Sequence, residues 1–290
     1  MSSASILVRF VFLAGGERSF ALSLLLGAGR LLLASALLLP AWLALFRRTA
    51  IPSRALLLSS LSGLALAIHF ATWFTSLAYT TVTASTVLVT MGPVWTAILG
   101  TWLGIERLSV RSWIGILLAL AGAVFIGISD SRAGAIATAS DPILGDALAF
   151  IGGVMAAVYR LLGRGAQRSG LSIGGYSAVA YGVGGLLLLP GPAIFGSPSG
   201  LPAYFNYPIE FYFWLAALAV IPQLVGHTSA NWAIRWYSPT LISLLVLFEP
   251  VAGSLLAWIF FSEVAGPAVW LGGGILLLGV AIATSRGLET

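Results

Sequence analysis

His69 and Trp73 stand four residues apart, and His227 and Asn231 repeat that spacing later in the chain. Residues four apart share one face of a helix, so each pair presents its polar groups in one direction. Imidazole, indole and amide together suit an amphipathic molecule, because the rings stack against it while the nitrogens and the amide orient it. The plain alternative is that the histidines and the asparagine tie neighbouring helices together. Glu249, in Phe248-Glu249-Pro250, adds a carboxyl to an otherwise apolar run. A charge at the centre of a membrane helix costs about 2.5–3.5 kcal/mol on insertion scales. Such a group is paired, hydrated in a cavity, or protonated. A protonatable carboxyl would serve a proton-coupled carrier, and a hydrogen bond to a neighbouring helix is the equal alternative. Pro93 and Pro250 remove main-chain donors within apolar runs, which kinks the helix or opens a carbonyl to a substrate. For enzyme chemistry the sequence offers little. It has no His-Glu-x-x-His helix, no Walker-type glycine loop and no cysteine. Ser62 and His69, seven apart, are the one pair from which an intramembrane hydrolase could be built, and no oxyanion motif accompanies them.

The elements that must position these residues follow from composition. Of 290 residues, 59% are hydrophobic and 8% charged, against about 25% charged in a soluble domain. So few charges cannot coat a water-facing surface. The apolar runs are long and continuous, unlike the alternating segments of about 10 residues in a transmembrane barrel. The expected class is an all-α membrane protein with the lipid bilayer as its partner. A net charge of +5 would suggest nucleic acid in a soluble protein, but in a membrane protein it reflects orientation; no nucleic-acid partner is expected. Without cysteine there are no disulfides or thiolate metal sites, and no cofactor or metal is expected.

The apolar runs predict ten helices. The first, 4–15, is too short to span, since a spanning helix needs about 20 residues. The others cover 20–46, 55–79, a stretch after the turn Thr80–Ser85 that ends near Leu103, 112–128, 147–162, 173–190, 211–236 interrupted by Pro222, 240–261 and 267–284. The chain also repeats itself. His69 and Tyr79 recur as His227 and Tyr237, Pro93 as Pro250, Glu106 as Glu263, Trp113 as Trp270, and Gly115 and Gly122 as Gly272 and Gly279. Residues 1–128 form a first repeat with a short helix 1, 129–146 an outer connecting loop, and 147–290 a second repeat. Five helices per repeat is odd, so the second enters the membrane from the opposite side. Two inverted five-helix repeats around a central cavity are the architecture of secondary transporters, whose substrates bind at mid-membrane between the halves. Ten residues of helix rise about 15 Å, half the hydrocarbon core. Each histidine, ten residues from a tyrosine at a helix end, is therefore expected near the midplane.

Loop charges set the orientation. With a cytoplasmic N-terminus, the inner segments hold Arg47, Arg48, Arg54, Arg107, Arg111, Arg164, Arg168, Arg235 and Arg286, and the outer segments only Arg18 and Arg132. The basic bias puts both termini inside. Arg160, near the end of helix 6, is expected to snorkel to the interface; its counterpart Arg9 is expected to do the same, with attraction of an anionic group as the alternative. Arg30 is expected to be paired inside the protein. Glu106 and Glu263, at helix ends, are expected to act as caps or ion-pair partners rather than substrate ligands.

Each half closes alike: a proline, thirteen residues later Glu, then Trp-x-Gly and a second Gly seven on. Gly104-Ile105-Glu106 to Gly122 and Ser262-Glu263 to Gly279 resemble the paired repeat of EamA-type carriers in the drug/metabolite transporter superfamily. The Ala149-Phe150-Ile151-Gly152 stretch with Tyr159, and the aromatic interior, look most similar to aromatic amino-acid exporters of the YddG type. The resemblance implies a ten-helix basket and export of amino acids or related metabolites from a bacterial inner membrane; a multidrug exporter of the same fold is the alternative. The expected substrate-contacting residues are His69, Phe70, Trp73, Thr90, Pro93, Tyr159, His227, Asn231, Glu249 and Pro250.

Overall fold

A computed structural model describes residues 3–16, 19–48, 50–79, 85, 88–89, 91–132, 141–196, 204, 207–248, 252, 255–256, 259–260 and 267–284. Among the described residues all regular structure is helical. Where lipid replaces water, every main-chain N–H and C=O must find a partner within the chain, and continuous apolar runs meet that demand as helices. The elements are α1 (Ala4–Gly15), α2 (Phe20–Leu37), α3 (Leu39–Phe46), α4 (Ser53–Tyr79), α5 (Gly92–Trp102), α6 (Val110–Arg132), α7 (Pro142–Arg168), α8 (Ile173–Leu188) and α9 (Gly191–Phe195). There follow α10 (Ile209–Leu218), a π-helical stretch Ala219–His227, α11 (Thr228–Ala233), α12 (Pro239–Val246) and α13 (Pro267–Thr284). Among the described residues, five stretches are long and apolar enough to cross a membrane: Phe20–Leu37, Ser53–Ser76, Ile143–Arg168, Ile173–Phe195 and Ile209–Ala233. Large apolar side chains such as Trp102, Ile143 and Leu271 face outward, which a water-facing surface of this extent would not tolerate.

Helix starts are set by short polar side chains. Ser19, Asp141, Ser172 and Ser238 each accept a hydrogen bond from the N–H three residues on, at 3.0–3.1 Å, satisfying one of the donors a helix leaves open. Several boundaries differ from the sequence expectation. The run 20–46 is two helices, because Pro40 cannot continue the ladder and instead occupies the first turn of α3. The 129–146 connection is helical at both ends, since α6 continues to Arg132 and Asp141 caps α7 at Pro142. The helix expected to end at Leu162 runs on to Arg168. Pro222 does not break its helix: it lies in the wider π-helical turn, which absorbs the local misfit that a proline brings to an α-helix.

Two antiparallel pairings organise the core. Along α4 and α7, Ser62 bonds the Tyr159 carbonyl, His69 the Gly152 carbonyl, and Asp141 N–H donates to the Tyr79 carbonyl. Glycines permit the second. A Cβ on Gly122 in α6 would lie 2.6 Å from the Gly272 carbonyl oxygen in α13, so the two backbones touch as small-residue membrane helices do. One end of the bundle collects Arg48, which donates to the Gly170 carbonyl at 3.0 Å, and the Glu106–Arg164 pair. Tyr79 and Asp141 meet at the other end.

Candidate functional site

On α4, the four-residue step from His69 to Trp73 stacks the two rings at 5.6 Å between centroids, and Trp73 stacks on Phe74 at 5.2 Å. His69 Nδ1 lies 2.8 Å from the Gly152 carbonyl. A carbonyl only accepts, so Nδ1 carries the proton, and the other ring nitrogen is left for the cavity that His69 lines. Gly152 makes this approach feasible, because a Cβ there would already touch Thr72 Oγ1 at 3.2 Å and Trp73 Cβ at 3.4 Å.

Opposite stand α7 and the π-helical stretch with α11. Tyr159 O–H donates to Asn231 Oδ1 at 3.0 Å, and Asn231 Nδ2 donates to the Tyr159 and Tyr181 hydroxyl oxygens at 2.7 and 3.2 Å. Gln167 donates to the Asn231 carbonyl at 2.9 Å. Asn231 is thus pinned by three neighbours, and its buried amide stays satisfied. His227 meets the Tyr159 ring edge-on at 6.4 Å. The result is a cavity of about 30 Å³ with His69, Tyr159, Arg160, His227 and Asn231 as its polar wall. That is room for a water or two. Both histidines turn inward to the same space.

Of the expected substrate-contacting residues, His69, Tyr159, His227 and Asn231 come together in this wall. Trp73 joins through its stack on His69; its indole N–H is buried without a hydrogen-bond partner among the described residues. Phe70 does not face the cavity: it is buried against α2, with the Arg30 guanidinium 4.7 Å above its ring. Pro93 follows a turn at Met91, with residues 88 and 89 on the far side of that turn also helical. It lies in the first turn of α5, where its missing N–H leaves no gap in the ladder. Trp232 projects outward, 54% exposed, because the neighbouring position on a helix lies about 100° round from Asn231. Thr90, Glu249 and Pro250 lie outside the described residues.

Arg160 is the residue the sequence misassigned. Expected to snorkel from a helix end, it sits two turns inside α7 and lines the cavity. The signal was its spacing of four with Arg164 and Arg168, which continues the helical face past Leu162. Arg30 is paired inside the protein as expected, donating to Gln223 Oε1 at 2.6 Å. The Ser62 hydroxyl bonds the Tyr159 carbonyl at 3.0 Å and the Tyr176 hydroxyl at 2.8 Å rather than His69, so the serine and histidine do not form a nucleophile and base.

Below the cavity, Glu106 accepts from Thr240 N–H at 3.2 Å and from the Thr240 hydroxyl, and lies 3.7 Å from Arg164 Nη1. A carboxylate from the α5–α6 loop therefore caps α12, as the helix dipole favours. Burial pushes the Glu106 carboxyl above the usual carboxylate range, against the Thr240 hydrogen bonds and the Arg164 charge that hold it down. Arg164, expected in a loop, is helical and only 2% exposed.

The sequence profile of the EamA-like transporter family matches residues 8–128 and 143–285. An uncharacterized transporter of the archaeon Archaeoglobus fulgidus is 27% identical over 259 residues, covering 89% of this chain and 86% of its own. A thiamine-repressible mitochondrial transport protein of Saccharomyces cerevisiae is 34% identical over 87 residues, 30% of this chain and 24% of its own. A crystal structure at 19% identity superposes with a TM-score of 0.76, covering 98% of this chain and 92% of that one; it shares the fold.

Proposed function

We propose that this chain, which belongs to the EamA-like transporter family and is a membrane transporter, exports small amphipathic metabolites, with aromatic and other apolar amino acids as its substrates. The observation that carries this is the cavity walled by His69 from one half and by Tyr159, Arg160, His227 and Asn231 from the other, with Trp73 stacked behind His69. Apolar walls with a few convergent polar groups are the usual make-up of a small-molecule site, and polar side chains deep in a membrane mark substrate pathways.

Two inverted repeats of five helices, 1–128 and 147–290 about the 129–146 connection, give the site its reason for lying between halves. The antiparallel, reciprocal contact of the repeated glycines on α6 and α13 supports that arrangement. The cavity has room for a water or two rather than an amino acid, which supports a cycle of alternating access in which the halves part to admit the substrate. The membrane is the bacterial inner membrane with both termini cytoplasmic, which the basic bias of one end of the bundle supports. Glu249 is the proposed proton-coupling group.

The test is counterflow of radiolabelled phenylalanine in proteoliposomes. Saturable uptake competed by tryptophan and leucine is expected. No uptake above empty liposomes for any of the three would end the amino-acid reading.

A further inference from the structure

We infer that Glu106 is the catch of a gate: its carboxylate holds the turn between α11 and α12 shut over the cavity, and the site opens toward that end of the bundle when Thr240 is let go; this rests on the alternating-access reading above. The carboxylate is placed by the local chain. Gly104, at φ 66°, turns the chain back after α5, a conformation that a side chain resists. The Ile105 and Glu106 N–H groups then donate to the Gly100 carbonyl at 2.8 and 3.1 Å. Gly100 leaves the space for the carboxyl, since a Cβ there would already lie 3.4 Å from Glu106 Cδ and Oε2. Residues 8–128 and 143–285 are the two stretches that match the family. A buried carboxylate from the first thus reaches three groups of the second: the Thr240 N–H, the Thr240 hydroxyl and the Arg164 guanidinium.

What Glu106 grips lies between the cavity and the end of the bundle where Arg48 meets the Gly170 carbonyl. Along α7, Arg160 lines the cavity, and Arg164 follows one turn, about 6 Å, toward that end. On the other wall, Ala230, Asn231 and Ile234 line the cavity, and the turn after Ile234 leads to Thr240 at the start of α12. The α11–α12 hairpin therefore closes the cavity on this side and is pinned at its turn by Glu106. Behind α11 the chain runs through the π-helical stretch Ala219–His227, with Pro222 inside it. Proline and π-helical turns are where long helices bend. The hairpin thus has a hinge on one side and a catch at its tip.

The catch suits release as well as closure. Arg164 Nη1 stands 3.7 Å from Glu106 Oε1, beyond hydrogen-bond length. Arg164 Nε and Nη1 are buried with no hydrogen-bond partner among the described residues. Shut, the gate keeps these donors from water, which is costly. Open, it hydrates them, and that offsets part of the loss of the Thr240 bonds. Two arrangements close in free energy are what a moving gate needs.

The experiment uses the cysteine-free chain with a single cysteine, Ala156→Cys, in the cavity wall. A membrane-impermeant methanethiosulfonate is applied to sealed, oriented vesicles from the side on which Arg48→Cys labels, and separately from the other side. The shut cavity has room for a water or two and excludes the reagent, so the rate of modification follows the open population. Thr240→Val, which loses the hydroxyl and keeps the shape, and Glu106→Gln are each expected to raise the rate from the Arg48 side about tenfold, the scale of a hydrogen bond to a charged group. Thr240→Ser is expected to keep the unsubstituted rate, and no variant is expected to raise the rate from the far side. No rise in either variant overturns the gate, because the contact is then a static helix cap. An equal rise from both sides also overturns it, because the fold has then merely loosened. Phenylalanine counterflow in the same vesicles separates the two readings. A one-sided rise without phenylalanine uptake leaves the gate and ends the amino-acid reading; uptake without a rise ends the gate and leaves export.

Discussion

Gly115 and Gly279 face one another so closely that a Cβ on Gly115 would lie 2.6 Å from the Gly279 carbonyl oxygen, and one on Gly279 would lie 2.7 Å from the Gly115 carbonyl oxygen. Gly115 is the repeat counterpart of Gly272, and Gly122 of Gly279. Each first glycine of one repeat thus meets the second glycine of the other, the reciprocal pattern of a two-fold interface. A side chain on either would push the backbones apart. Gly115→Leu and Gly279→Leu should each cost about 1–3 kcal/mol or more, read as a lowered melting temperature in detergent. Gly274→Ala, on the same helix with nothing within 4 Å of its Cβ position, should leave it unchanged. Equal losses at all three would separate the effect from the crossing.

Glu106 gives a pH dependence whose sign is fixed. Its folded carboxyl is raised by burial, so it favours the folded state most below the unfolded carboxylate value, and that contribution is lost as pH rises through the raised one. Melting temperature against pH, wild type minus Glu106→Gln, should fall over that window. Glu106→Ala should cost about 3–5 kcal/mol, because it strands the buried Arg164 charge. A flat difference curve would mean that the carboxyl does not titrate there.

Trp73 should matter for aromatic cargo. Truncating a buried aromatic anchor commonly costs about 2 kcal/mol, so Trp73→Ala should weaken tryptophan and phenylalanine transport about tenfold or more while sparing alanine or valine. Equal loss for both classes would indicate a folding defect. Unchanged transport of both would remove Trp73 from the site.

Glu249→Gln should make transport insensitive to an imposed pH gradient without altering expression or melting. An unchanged response to the gradient would reduce Glu249 to a packing role.

Because the chain has no cysteine, single cysteines report topology cleanly. Arg48→Cys should label from the cytoplasmic side and Asp141→Cys from the outside. Labelling of both from one side would overturn the inverted arrangement.

The sequence alone determined what depends on local pattern. Long apolar runs dictate helices, because the main chain has no other way to satisfy itself in lipid, and the runs, the repeat ladder and the four-residue His–Trp and His–Asn steps are all written in order along the chain. His69 and His227 could be expected to share a cavity because repeat and helix geometry are both periodic. The side-chain roles that depend on where a helix stops or what lies across from it were decided by tertiary structure. Phe70 sits one position from His69 yet packs under Arg30, since only the position of α2 determines which face is the cavity. Pro93 occupies the first turn of α5, behind a turn at Met91, and the apolar run alone did not say where beside the proline the helix would start. Arg160 moved from the interface to the cavity wall when α7 proved longer than its apolar run, and Arg164 found a buried partner in Glu106, 58 positions away in sequence. Charge burial is set by which distant groups meet, and sequence spacing carries no record of that.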